Sequence, residues 1–352
     1  MKILKYLFFL LLIIIIAGAI YVATQKGEYH IEETMIINAP LPVVYNEVNN
    51  LANWEDWGPW RKEAKDVIIE DISAEPRGEG AGYTWKSEEV GDGSIITTRA
   101  IPNNSIDQVV EHHPTFADSE SRMYWRFEAV EEGTKVTVGM EGNQSFREKL
   151  GFVFSDNSIS QIMRPRLNRS LERLQTTVVE KMSVYSINVD GITTHGGGFY
   201  MYSSTASKIS QIPEKMKDMI LEVRNYMELN NISAVGDPFV LYNNWNEQNN
   251  SAIYSAGIFT PSLVITPQES DILNGMMPVQ RVVKTTLKGD YTNLEEAWDR
   301  AYAYLDENNL QADEEKQSFE VYRTTNVNTP NPANWVTEIY IPLKENRPQT
   351  QE

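Results

Sequence analysis

The sequence predicts an α+β protein in three parts, and three observations carry that expectation. An uncharged apolar run opens the chain, a meander of short strands closed by one long amphipathic helix follows, and the carboxy-terminal half repeats a strand–helix–strand–strand order. With 352 residues, the chain has the length of two domains behind a leader.

Residues Tyr6 to Ala23 read YLFFLLLIIIIAGAIYVA, 18 residues without a charge. At helical rise they span about 27 Å, close to the ~30 Å hydrocarbon core of a bilayer. Lys2 and Lys5 precede the run, and Glu28, Glu32 and Glu33 outnumber Lys26 after it. The positive-inside bias therefore leaves the short end in the cytoplasm. The expectation is a single-pass signal anchor in the inner (cell) membrane, inserted through residues 4–23, with stub and anchor over 1–27 and the bulk on the periplasmic or extracytoplasmic side. A cleaved signal peptide is the rival, since Ala17-Gly18-Ala19 has the small-x-small form of a cleavage site.

Over 28–182, Tyr29–Ile37 alternates as a strand, and Pro40-Leu41-Pro42 starts a helix through Val48. Strand-like runs follow at 67–72, 82–87, 94–101, 105–112, 122–130 and 134–141, separated by turns such as Gly91-Asp92-Gly93. Ile159, Ile162, Met163, Leu167, Leu171, Leu174 and Val178 form a helical stripe over 158–182, interrupted by Pro165. Trp54, Trp57 and Trp60 either pack the short helices under the sheet or, for Trp57 and Trp60, rim a cavity.

Over 183–346, a strand at 184–192, a helix carrying Ile212, Met216, Met219 and Val223, and strands at 239–242 and 252–259 make a first unit. A strand at 279–287, a helix carrying Leu294, Trp298, Ala301 and Leu305, and strands at 319–322 and 336–341 make a second, leaving 347–352 as a tail. Asn230-Asn231-Ile232 and Asn308-Asn309-Leu310 fall at matching positions. Thr292-x-x-Glu295 predicts a capping box at the second helix. Alternation in the last strand sets Val336, Glu338 and Tyr340 on one face and Thr337, Ile339 and Ile341 on the other. Glu338 then projects beside an aromatic ring, where a cationic ligand would suit it, or it lies solvated on an edge. Tyr242, Trp298, Tyr322 and Tyr340 are the aromatic candidates for a ligand groove, with Trp298 also a core candidate through its helical stripe.

Composition removes other classes. Lys plus Arg is 31 and Asp plus Glu 49, a net charge of −18, which repels a phosphate backbone, so no nucleic-acid partner is expected. The chain has no cysteine, which excludes disulfides, thiolate metal sites and a cysteine nucleophile. His195-Gly196-Gly197-Gly198 lacks the G-x-S-x-G partner of a hydrolase, and Gly78, Gly80 and Gly82 miss the dinucleotide spacing. His112 and His113 are adjacent in a strand and point apart, so neither a metal nor a cofactor is expected.

Two resemblances sharpen the expectation. Ile37-Asn38-Ala39-Pro40-Leu41-Pro42-Val43-Val44-Tyr45 with Leu51-Ala52-Asn53-Trp54-Glu55-Asp56-Trp57-Gly58-Pro59-Trp60 resembles the opening of polyketide-cyclase/START-like (SRPBCC) domains. That likeness implies a helix-grip fold with an apolar cavity. Leu287-Lys288-Gly289-Asp290-Tyr291, Ala297-Trp298, Phe319-Glu320-Val321-Tyr322 and WVTEIYIPL over 335–343 resemble the gyrase-inhibitory-protein-like domain, also called the AraC-type effector-binding domain. That resemblance implies small-molecule binding and a ligand-facing Glu338. The expectation is a membrane-anchored binding protein for apolar molecules or amphipathic cations. The alternatives are a hydrolase of small electrophilic toxins, with Glu338 as general base beside Tyr340 or Tyr322, and a ligand-sensing scaffold for an envelope partner. No helix-turn-helix segment precedes the second domain, which argues against transcriptional control.

Overall fold

The computed structural model describes residues 2–60, 66–113, 118–153, 158–324 and 328–345. The chain divides into two compact units, 1–181 and 182–352.

In the first unit, α1 (Lys2–Thr24) leaves almost every described side chain exposed, and among these only Val22 in its last turn is buried. β1 (Glu28–Ile37) leads into α2 (Leu41–Asn49), which carries proline in its first turn, where the missing N–H costs no intrahelical bond. A short helical turn, α3 (Trp54–Trp57), follows. Then come β2 (Ile68–Glu70), β3 (Gly82–Lys86), β4 (Asp92–Ile101), β5 (Ser105–His113), β6 (Ser119–Val130) and β7 (Gly133–Asn143). All pair antiparallel in the order β1-β7-β6-β5-β4-β3-β2, so the first strand closes beside the last.

Alternation fixes the inner face of this sheet. Met123, Trp125 and Phe127 on β6 and Val136, Val138 and Met140 on β7 are buried, while their neighbours point outward. α5 (Ile159–Met182) buries Met163, Leu167, Leu171, Leu174 and Val178, the stripe expected from the sequence. Its Ser170 hydroxyl donates to the Trp57 carbonyl at 3.0 Å, tying the helix to the tryptophan turn.

Between β7 and α5 lies a helix the sequence reading missed, α4 (Phe146–Val153). Ser145 and Glu148 form its capping box: the Ser145 amide donates to the Glu148 carboxylate at 2.6 Å, and the Glu148 amide to the Ser145 hydroxyl at 3.3 Å.

The second unit comprises β8 (Ser186–His195), β9 (Gly198–Lys208), α6 (Ile212–Leu229), β10 (Val235–Asn246), β11 (Ser251–Thr260), β12 (Leu273–Met277), β13 (Gln280–Lys288), α7 (Leu294–Glu307), β14 (Phe319–Tyr322) and β15 (Val336–Pro342). They form one antiparallel sheet in the order β12-β9-β11-β10-β14-β15-β13-β8.

This order differs from the one expected for the first strand–helix–strand–strand unit. The strand that precedes α6, and so matches β13 before α7, is β9 and not the run at 184–192. That run is β8, which pairs with β13 across the sheet, while β12, absent from the sequence reading, pairs with β9. Only Gly196 and Gly197 separate β8 from β9, which gives the sequence the look of one continuous element. Gly197 has φ +68°, and a Cβ there would fall 2.2 Å from the Met277 carbonyl oxygen, so the crossing between the two strands needs glycine.

The asparagine pairs end both helices in one way. Asn231 and Asn309 take φ of 55° and 53°, and the amides of Ile232 and Leu310 reach back to the carbonyls of Met227 and Leu305 at 2.8 and 2.9 Å. The expected Thr292 capping box is replaced: a 3-10 turn at Tyr291–Asn293 precedes α7, and the Asp290 carboxylate accepts from the Thr292 amide at 2.8 Å.

α6 covers a cluster of Val240, Ala252, Tyr254, Ala256 and Tyr322, and α7 covers one of Val283, Leu287, Ile339 and Ile341. The opposite face of the sheet carries a separate cluster that includes Phe239, Val282, Phe319, Val321 and Tyr340.

Candidate ligand site

The β14–β15 register decides which candidate residues can meet. Phe319 stands opposite Tyr340, Glu320 opposite Ile339, Val321 opposite Glu338 and Tyr322 opposite Thr337. Directly opposed residues in an antiparallel pair share a face. Glu320 and Tyr322 therefore lie under the helices, and Glu338 and Tyr340 lie on the other side.

On the helix face, Glu320 is 1% exposed. The indole Nε1 of Trp298 on α7 donates to its Oε1 at 2.6 Å, and the Tyr242 hydroxyl of β10 donates to Oε2 at 3.0 Å. The Tyr322 hydroxyl donates to the same Oε2. All three donors are neutral, and among the described residues no ammonium or guanidinium pairs with this carboxylate. Burial raises its pKa, and the hydrogen bonds from Tyr322, Trp298 and Tyr242 offset only part of that rise. Burial and the adjacent carboxylate push both tyrosine phenols well up, so they stay protonated and keep donating.

Aromatic rings connect this acid to the surface. Tyr242 packs edge-on against Trp298 at 5.9 Å and against Trp245 at 5.5 Å, and Trp298 stacks on Tyr302 at 6.0 Å. Trp245 and Tyr302 are both 47% exposed. Below the other edge, Tyr291 lies 5.3 Å from Tyr322 and 4.6 Å from Trp335. The Thr337 hydroxyl, buried opposite Tyr322, has no hydrogen-bond partner.

Glu338 is placed differently from the lone acid that the sequence suggested. Its Oε2 accepts from Arg323 Nε at 2.7 Å and from the Tyr340 hydroxyl at 2.6 Å, and its Oε1 faces Lys284 Nζ at 2.7 Å. Arg323 also pairs with Asp237 at 3.0 Å, and Lys284 stands 3.7 Å from Asp190. Asp237 on β10, Arg323 just past the end of β14, Glu338 on β15, Lys284 on β13 and Asp190 on β8 thus form a row of alternating sign. Burial alone would raise the pKa of Glu338, but hydrogen bonds from Arg323, Lys284 and Tyr340 bring it below the usual glutamate value.

A carboxylate so held is a weak proton acceptor, and both of its oxygens are occupied. Tyr322, one of the two partners expected beside Glu338 in a hydrolytic pair, is on the opposite face and bonded to Glu320. Of the expected aromatic set, the fold brings Tyr242, Trp298 and Tyr322 together and sends Tyr340 elsewhere.

Sequence reasoning missed Glu320 as the centre of this group. The signal was present in Phe319-Glu320-Val321-Tyr322, where all four residues are buried. With Phe319 and Val321 on one face and Glu320 and Tyr322 on the other, burial of both faces necessarily buries the glutamate beside the tyrosine.

In the first unit, Trp57 is fully buried instead of lining a rim. Its ring lies 4.9 Å from Trp54 and 5.7 Å from Trp125, and its indole nitrogen has no partner. Trp60 is half-buried and packs edge-on against Trp85 at 5.9 Å. His112 stacks on Trp85 and its ring nitrogen meets the Val90 carbonyl, so it is spent on packing. Among the described residues no group of His, Asp or Glu is arranged to hold a metal ion.

No curated protein matches the sequence. Among solved structures, the chain is similar to EcmrR in its complex with DNA, at 16% identity and a TM-score of 0.40 over 56% of this chain and 76% of that one. It is similar to the EcmrR C-terminal domain at 17% identity and a TM-score of 0.38, over 46% and 99% of the two chains. A protein from Chromobacterium violaceum, CV1439, gives 13% identity and a TM-score of 0.33 over 42% and 96%. These likenesses are too weak to add anything about ligand or partner. Residues 179–344, which take in most of the second unit, match the model of the GyrI-like small molecule binding domain.

Proposed function

We propose that the second unit binds amphipathic organic cations, with Glu320 as counter-ion and Tyr242, Trp298 and Tyr322 as its aromatic box. One observation carries this reading: Glu320 is a fully buried carboxylate whose donors are all neutral. A buried charge without an opposite charge is costly, and a cation entering among electron-rich ring faces would relieve that cost. Glu338, by contrast, already has two cations of its own. The row Trp245–Tyr242–Trp298–Tyr302 offers a path from solvent, because a cation can pass from one ring to the next while shedding water. No reaction is required of this arrangement.

The same reading extends to the rest of the chain. α1 anchors the protein in the membrane, and both units act outside the cytoplasm. The first unit belongs with the START-like helix-grip domains, an assignment supported by its strand order, its long closing helix and the Trp54–Trp60 opening. The second unit is an internal duplication, supported by a sheet order that runs through the same element roles from either edge and by the matched asparagine helix ends. A thermal-shift screen of the full chain against lipophilic cations, neutral isosteres and lipophilic anions tests the ligand class. Stabilisation by cations alone is the expected result, and equal response to all three overturns it.

A further inference from the structure

The chain leaves α1 and is fastened at once to α4. The Gln25 carbonyl accepts from Lys149 Nζ at 2.7 Å, and the Gly27 carbonyl accepts from the Gln144 amide at 2.9 Å. A Cβ on Gly27 would lie 2.5 Å from Asn143 Oδ1 and 2.6 Å from Lys149 Cε, so glycine is what lets these segments close. α1 and α4 pack against each other, and Val22 is buried. The connection between the apolar helix and the folded unit is therefore short and fixed, unlike a loose tether.

α4 has a composition that fits this position. Phe146 and Leu150, four residues and one turn apart, share a face and are 46% and 43% exposed. Arg147 is exposed next to them, and Lys149 reaches toward the end of α1.

We infer that α4 is an interfacial helix. Phe146 and Leu150 enter the boundary between headgroups and acyl chains of the phospholipid bilayer that α1 crosses, with Arg147 at the level of the phosphates. The inference rests on α1 being a membrane span. If α1 crosses the bilayer, Thr24 stands at its surface, and the bond from Lys149 to Gln25 brings α4 to the same depth. Short amphipathic helices with apolar residues on one face and basic residues beside them bind at this depth. The β1–β7 pairing starts beside this point. Glu28 and Asn143 stand at its near end, and Ile37 and Thr134 at its far end, about 30 Å off at strand rise.

The absence of cysteine makes the test direct. Phe146→Cys, Leu150→Cys and Glu131→Cys each put one nitroxide on the full-length protein in phosphatidylcholine–phosphatidylglycerol vesicles. Glu131, exposed in the β6–β7 turn, marks the far end. The expected result is several-fold weaker relaxation by a water-soluble nickel chelate at 146 and 150 than at 131, with stronger relaxation by oxygen. Should Phe146→Cys fail to fold, Leu150→Cys decides alone. Protein that resists carbonate extraction but shows equal chelate access at all positions overturns the interfacial helix and leaves the span intact. Protein released by carbonate overturns both.

Discussion

Glu320 and Glu338 stand on neighbouring strands with their registers offset by one residue, so one sheet presents a carboxylate to each of its faces. One is sealed beneath two helices among neutral donors, and the other is clamped by Arg323 and Lys284. Chemically identical side chains thereby acquire opposite energetic signs.

Neutralising each acid should move stability in opposite directions. Glu320→Gln removes a buried charge and keeps a group that can both accept from Trp298 and donate to a tyrosine oxygen. The second unit should melt at the same temperature or a few degrees higher. Glu338→Gln leaves two cations facing a neutral amide in a partly exposed site, and a loss of about 2 kcal/mol is expected. For a unit of this size that lowers Tm by about 4–8 °C. Scanning calorimetry of both variants checks the pair, and a matching loss in each would contradict it.

The pH dependence follows from the same contrast. Glu320 has its folded pKa raised, so its contribution is fully present below the unfolded value of about 4.3 and is lost as pH rises through the folded one. Glu338 has its folded pKa lowered, so its contribution is present above about 4.3 and is lost as pH falls through the folded value. Denaturant melts from pH 3 to 8 should therefore show Glu338→Gln flattening the acid limb, while Glu320→Gln removes a penalty that wild type carries at neutral pH.

In the first unit, the two inner tryptophans should differ although both are fully buried. Trp54 Nε1 donates to the Val48 carbonyl at 2.8 Å, whereas Trp57 Nε1 has no partner. Trp54→Phe strands a buried carbonyl, and Trp57→Phe strands nothing. The first should cost about 1–2 kcal/mol more than the second in denaturant unfolding. Equal costs would mean that ring volume alone decides.

Much of this architecture was legible because it is written in periodicity. The α5 stripe and the alternation through β6 and β7 follow from spacing, and the structure keeps them; the matched asparagine pairs were visible too, although their role as helix ends was not. What could not be read is what register and pairing decide. β8 and β9 look like one element until their partners are known, because pairing is a long-range property that two glycines cannot announce. The site was half legible for the same reason. Tyr242, Trp298 and Tyr322 were found from their chemistry, but the glutamate they surround depends on which face of β14 the helices cover. Glu338 read as unpaired because Lys284 and Arg323 lie 54 and 15 residues away in sequence and meet it only across the sheet. α4 was missed although Ser145-x-x-Glu148 marks its start, since eight residues between a strand and a long helix carry little periodic signal.

Titration calorimetry of a lipophilic cation such as tetraphenylphosphonium into wild type, Glu320→Gln and Glu338→Gln tests the central claim most directly. The account predicts saturable binding to wild type and Glu338→Gln and a loss of at least tenfold, about 1.4 kcal/mol, in Glu320→Gln. Undiminished binding to Glu320→Gln, with loss confined to Glu338→Gln, would contradict it.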